Sequence, residues 1–127
     1  MKKIIFLLLC IVSFSGFTQT VMNVNVKQFK NMIDSIKGTI IDLRTNEEIR
    51  TKGKIVGAQQ IDFLGKDAEK LIAKLDKAKT YFIYCAGGGR SGECAELMQK
   101  SGFKKIINLE LGYGEWKTKG YPIEQVK

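Results

Sequence analysis

Cys85 opens the run Cys85-Ala86-Gly87-Gly88-Gly89-Arg90-Ser91, and residues of these types at this spacing can carry nucleophilic sulfur chemistry. A free thiol titrates near pH ~8.5, and an electropositive setting lowers that value and enriches the reactive thiolate. The chain contains no histidine, so a Cys–His or Ser–His pair is excluded. Activation then falls to Arg90, to the loop N–H groups and to a helix N-terminus, acting together as a fixed positive field. Glycine at 87, 88 and 89 lets the backbone curl through conformations closed to residues with a Cβ, and leaves an anion room to reach the amides. Arg90 offers a planar fork of donors to a sulfonate, sulfate or phosphate oxygen. Cys85 and Arg90 are therefore the candidate catalytic pair. Ala86, Gly87, Gly88, Gly89 and Ser91 form the candidate substrate-binding loop.

Such a loop needs a strand to deliver the cysteine and a helix to aim its amides. Thr80 to Tyr84, rich in aromatic and β-branched residues, reads as a buried strand. Ser91 reads as the cap of a helix running to about Gln99. Upstream, Val24 to Ile36 has helical spacing with Asn25 as N-cap and Gly38 as stop, and Thr39 to Leu43 is a short apolar strand. Thr45 with Glu48 three residues on reads as a capping box. Gln59 to Phe63 reads as a strand, and Lys66 to Leu75 as a helix with Leu71, Ile72 and Leu75 on its apolar face. Ser101-Gly102 ends the helix after the loop, Ile106 to Leu109 is the last strand, and Trp116 lies in a short helix as a core residue. Strands alternating with helices imply an α/β fold, a parallel sheet covered on both faces. Ligand sites in such sheets lie at the strands' carboxyl ends, where Cys85, Asp42 and Arg44 fall. On the residues alone, Asp42 and Arg44 read first as a structural salt bridge or turn bond.

The loop, with four residues between Cys85 and Arg90, resembles the active-site loop of the rhodanese (sulfurtransferase) family. The flanking text resembles it too. Ile41-Asp42-Leu43-Arg44-Thr45-Asn46-Glu47-Glu48 is similar to the family's first motif, and Gly53-Lys54-Ile55-Val56-Gly57-Ala58 to its glycine-rich turn. Gly102-Phe103, Asn108-Leu109-Glu110, Gly112 to Trp116 and Gly120-Tyr121-Pro122-Ile123 are similar to its closing motifs. The likeness covers roughly residues 24 to 125 in the family's order. Lys54-Ile55-Val56 stands where relatives usually have His-Ile-Pro, the stretch from Glu48 to Gly53 is one residue longer than usual, and Ala86 replaces a residue that is charged or polar in many relatives. The resemblance implies a rhodanese-like fold, a central parallel sheet of about five strands flanked by helices on both faces. It implies a thiosulfate sulfurtransferase that moves a sulfane sulfur through a persulfide on Cys85. Asp42 would steady the neighbouring loops, and Arg44 would lie near the site in a supporting role.

Rival readings of the loop are weaker. Gly87-x-Gly89-x-x-Gly92 matches a dinucleotide fingerprint, but too little chain follows it to build a nucleotide-binding half. Cysteine phosphatases carry five residues between Cys and Arg; the shorter loop here suits one transferred sulfur better than a tetrahedral phosphate. A rhodanese-like domain kept as a non-enzymatic sulfur carrier or binding module is the remaining alternative.

With 127 residues there is room for one domain, and 44% hydrophobic with 27% charged residues excludes a disordered chain. The formal net charge of +8 comes from scattered lysines rather than a basic stripe, which argues against a nucleic-acid partner. Residues 1–20 read as a secretory signal peptide: Lys2-Lys3, an apolar run from Ile4 to Val12, then a small and polar exit. The run is short of the ~20 residues that span a bilayer, and Leu9 before Cys10 disfavours a lipoprotein site. The mature domain, 21–127, is expected to be exported, periplasmic or secreted, and monomeric. It would act on a small anionic sulfur donor and a thiol or cyanide acceptor, with no cofactor and no metal. Cys94 reads as a buried structural thiol, the alternative being a resolving partner for Cys85.

Overall fold

The computed structural model describes residues 20–127, so the candidate signal peptide lies outside the described residues apart from Thr20. The chain runs β1 (Val21–Val24), α1 (Val26–Ser35), β2 (Thr39–Asp42), α2 (Asn46–Lys52), β3 (Lys54–Ile55), β4 (Gln59–Gln60), α3 (Ala68–Ala73), β5 (Thr80–Tyr84), α4 (Gly89–Lys100), β6 (Lys105–Leu109), α5 (Tyr113–Thr118) and β7 (Ile123–Glu124). Five strands pair in parallel in the order β1-β6-β5-β2-β4. The strand that ends at the cysteine, β5, is thus the middle one. A separate antiparallel pair joins β3 to β7.

Residues alternate sides along β5 because the strand period is two. Tyr81, Ile83 and Cys85 join one buried cluster, with Ile72 of α3 and Cys94, Ala95 and Met98 of α4. Phe82 and Tyr84 join the other, with Val26 and Phe29 of α1 and Tyr113 and Trp116 of α5. The expected sheet with helices on both faces is what the chain forms. Trp116 packs edge-on against Phe29 and Tyr121 and donates its Nε1–H to the Pro122 carbonyl at 3.1 Å, so its role is core packing.

The helix starts are legible in local chemistry. Asn25 accepts from the Gln28 N–H at 2.8 Å and Thr45 from the Glu48 N–H at 3.3 Å, each completing a capping box. Four local expectations need correction. Strand β1 is absent from the sequence reading, which begins the fold at Val24; four residues without turn signals are too few to announce a strand. The Gln59–Phe63 strand narrows to β4, although the Ile61 and Phe63 N–H groups still donate to the Asp42 and Leu43 carbonyls. Helix α3 is shorter than Lys66–Leu75. Its buried face is Ala68 and Ile72, four apart, which turns Leu71 outward at 43% exposure. Helix α4 begins at Gly89, so Ser91 sits in its first turn rather than at its cap.

Candidate active site

The cap of α4 is Gly88, at φ +108°, with no side chain to satisfy the first amides. The sulfur of Cys85 takes that role. The Gly88 N–H donates to Cys85 Sγ at 3.1 Å and the Ser91 N–H at 3.4 Å, while the Ser91 hydroxyl lies 3.6 Å away. A capping oxygen ordinarily accepts from the second or third helical amide; here a sulfur does so from the preceding loop. The same contacts that start the helix therefore stabilise negative charge on the sulfur.

Other elements fix the loop in place. The Tyr113 N–H donates to the Cys85 carbonyl at 2.8 Å and the Gly114 N–H to that of Ala86 at 3.3 Å. A Cβ on Gly88 would stand 2.0 Å from the Glu110 carbonyl, and one on Gly112 2.4 Å from that of Ala86. Gly87 and Gly89, by contrast, have ordinary φ angles and nothing within 4 Å of a built Cβ. Only the middle glycine of the three is required by its backbone conformation.

Burial alone would push the Cys85 thiol up. The Ser91 N–H and hydroxyl, with the Gly88 and Gly87 N–H groups, outweigh it, and the thiol is held below its ordinary value. Cys94 has no such donors; burial, then the charge of Cys85, pushes it up to about 12. Cys85 and Cys94 are free thiols, each 1% exposed, so Cys94 is placed as a core thiol.

The guanidinium of Arg90 is not an open fork. Its Nη1 and Nη2 donate to Glu48 Oε2 and Oε1 at 2.9 and 2.8 Å. The Arg90 hydrogen bond, against the opposing effect of burial, holds the Glu48 carboxyl down at about 2. The donor fork that the sequence assigns to a substrate anion is therefore occupied by a carboxylate in this structure. Glu48 also accepts from the Thr45 N–H at 2.8 Å, so a residue read as part of a capping box and of the first motif also ties α2 to the Cys85 loop. No local pattern marks that pairing, because its partners are 42 residues apart.

Asp42 and Arg44 form the expected ion pair, fully buried. Arg44 Nε and Nη2 donate to Asp42 Oδ1 and Oδ2 at 3.0 and 2.7 Å, and Nη2 also donates to the Gly53 carbonyl at 2.7 Å. The guanidinium lies 3.9 Å from the Tyr113 ring centroid. Burial acts to lower the Arg44 value, but the hydrogen bond and charge of Asp42 outweigh it and keep the group cationic. Tyr84 donates its hydroxyl to Asp42 Oδ2 and accepts from the Ile55 N–H at 3.1 Å. This network joins β2, β5 and the turn after α2 beneath the loop. Tyr84 and Tyr113, read from sequence only as strand and motif residues, are its other two members.

A cavity of about 320 Å³ opens beside Ala86, lined by Arg44, Glu48, Lys52, Tyr113, Gly114 and Lys117. Two clefts of about 400 Å³ lie elsewhere, one along β1 and α4 and one around Lys37–Thr39 and Ala78–Thr80. Neither is lined by any residue from Cys85 to Arg90, whereas Ala86 lines the first cavity. The cavity at Ala86 is the one at the carboxyl ends of the central strands, where ligands bind in parallel sheets.

A sequence model of the Rhodanese-like domain matches residues 25–119. The chain is 35% identical over 101 residues to a Bacillus subtilis protein named "Putative sulfur carrier protein YrkF", covering 79% of this chain and 53% of the relative. It thus spans about half the length of that relative. Among solved structures, a rhodanese-related protein from Thermoplasma volcanium superposes with a TM-score of 0.72 at 25% identity, covering 82% of this chain and 98% of the other. A rhodanese-like domain protein from Staphylococcus aureus does so with a TM-score of 0.67 at 29% identity, covering 82% and 100%. The domain match covers most of the chain and the solved structures share its fold, and the chain belongs to the rhodanese-like domain family.

Proposed function

We propose that the protein is a sulfurtransferase in which Cys85 carries a sulfane sulfur from thiosulfate or a similar anionic donor to a thiol or cyanide. The observation that supports this most is the set of N–H groups around Cys85 Sγ, which favour a thiolate without any imidazole. The Cys85 thiolate attacks the outer sulfur of the donor. An S–S bond forms, the donor's own S–S bond breaks, and sulfite leaves with the electron pair. An acceptor thiolate or cyanide then attacks the outer sulfur of the persulfide, and Cys85 departs as the thiolate it was. The two steps share one covalent intermediate, so ping-pong kinetics are expected. The loop amides are preformed donors to the charge on the transferred sulfur. Arg90, held by Glu48, acts as a positioning residue that keeps the loop amides aimed. The domain, 21–127, would work outside the cytoplasm once the first 20 residues are removed.

A carrier that loads once and hands its sulfur to a partner is the second reading, favoured by the name of the Bacillus relative. One experiment separates the two. Protein treated with thiosulfate, mercaptopyruvate or polysulfide is weighed by mass spectrometry, then supplied with cyanide or thiol under excess donor. Gain of one sulfur with many turnovers supports the enzyme, and one stoichiometric discharge supports the carrier. No sulfur gain from any donor overturns both.

A further inference from the structure

The cavity beside Ala86 is larger than cyanide or thiosulfate needs, and its charges do not cancel. Asp42 offsets Arg44 and Arg90 offsets Glu48. Lys52 and Lys117 remain, with no ion pair among the described residues. They come from two elements that the same tyrosine holds together. The Tyr113 hydroxyl donates to the Lys52 carbonyl at 2.6 Å, and Lys117 lies four residues beyond Tyr113 on α5, on the same helix face. Arg44, 1% exposed, forms the inner wall, and its Nη1 has no acceptor among the described residues. The methyl group of Ala86 leaves the space between these cations and the loop open.

We propose that Lys52 and Lys117 make this cavity an anion subsite that selects a carboxylate-bearing organic thiol as the sulfur acceptor. This rests on Cys85 carrying the sulfur. The loop itself supplies no free cation, because Ala86 to Gly89 are uncharged and Arg90 is held by Glu48. Recognition of the acceptor's charge therefore falls to the opposite wall. Ala86, the residue after Cys85, lines this cavity, so a carboxylate held there brings the acceptor's thiolate to the loop that carries the persulfide. Charge pairing of this kind is partly screened in water, so it discriminates by a modest factor rather than an absolute one.

The test compares mercaptosuccinate with 2-mercaptoethanol as acceptors for protein already loaded with one sulfur. The unaltered chain should prefer mercaptosuccinate in kcat/KM, and added salt should erode that preference. In the variant Lys52→Glu/Lys117→Glu the preference should fall roughly tenfold or more, chiefly through KM. A preference within twofold of the original, or none in the unaltered chain, overturns the subsite. An effect confined to loading from mercaptopyruvate overturns the acceptor assignment. Should the double variant fail to fold, the salt dependence of the unaltered chain and Lys117→Gln alone decide by the same criterion. Failure of any sulfur to load on Cys85 is a separate result, one that removes the sulfurtransferase reading itself.

Discussion

Cys85→Ser should load no sulfur at all from any donor, while keeping its fold. A serine hydroxyl stays protonated where a thiol held by the Gly88 and Ser91 N–H groups ionises, and only the thiolate is the nucleophile. Cys94, the other cysteine of the domain, offers no rescue. Cys94 lies in the core between α4 and the sheet, with its thiol pushed up to about 12 by burial, so its thiolate is negligible at neutral pH. The expected result is therefore the absence of any mass gain, not a reduced one. Serine still offers an oxygen to the first turn of α4, so the cost in stability stays within about 2 kcal/mol, the range for an altered helix cap. Mass spectrometry after donor treatment, with thermal unfolding as the control for folding, checks both halves. A sulfur retained by Cys85→Ser moves the nucleophile elsewhere.

Arg44→Ala should cost about 3–5 kcal/mol of folding stability, the range for breaking a buried ion pair from one side. Asp42 is fully buried and would keep only the Tyr84 hydroxyl and the Arg44 backbone N–H as donors. The Gly53 carbonyl would lose its donor, and the Tyr113 ring the guanidinium stacked on it. A domain of this size has about 5–15 kcal/mol in all, so the variant should unfold at a much lower urea concentration. Replacing both partners with apolar residues of similar volume should recover part of the loss, because no unpaired charge then remains buried. A single variant within about 1 kcal/mol of the original would show the network to be dispensable.

Much of this site is written in local chemistry, and the rest depends on which elements meet. Asn25 and the Thr45–Glu48 box mark helix starts because a cap acts within three residues. The aromatic run ending at Cys85 marks the central strand because apolar content signals burial. Asp42 and Arg44 read correctly as an ion pair because two residues apart on a strand end they must face one another. The pairing of Glu48 with Arg90, and the placing of Lys52 and Lys117 on one cavity, have no such signal, since neither partner changes the pattern around it. Strand β1 and the two-residue pair β3 and β7 are stabilised by their neighbours, not by their own propensity. The misplacement of Ser91 is more instructive. A serine before a helical run is ordinarily its cap, but the sulfur of Cys85 already takes that role, and the cap falls three residues earlier, at Gly88.

The same substitution of sulfur for a capping oxygen is the core of the account, and the ionisation of Cys85 reports on it directly. Thiolate ultraviolet absorbance is titrated with pH and read as the difference between the protein and Cys85→Ser, which removes any need for a reagent to reach a buried sulfur. The difference also cancels the tyrosines, and Cys94, pushed up to about 12, stays protonated through the neutral range. Absorbance should rise as pH climbs through a midpoint below the ~8.5 of a free thiol and be flat above it. A midpoint at or above that value would mean that the loop amides do not hold a thiolate, and would contradict the mechanism.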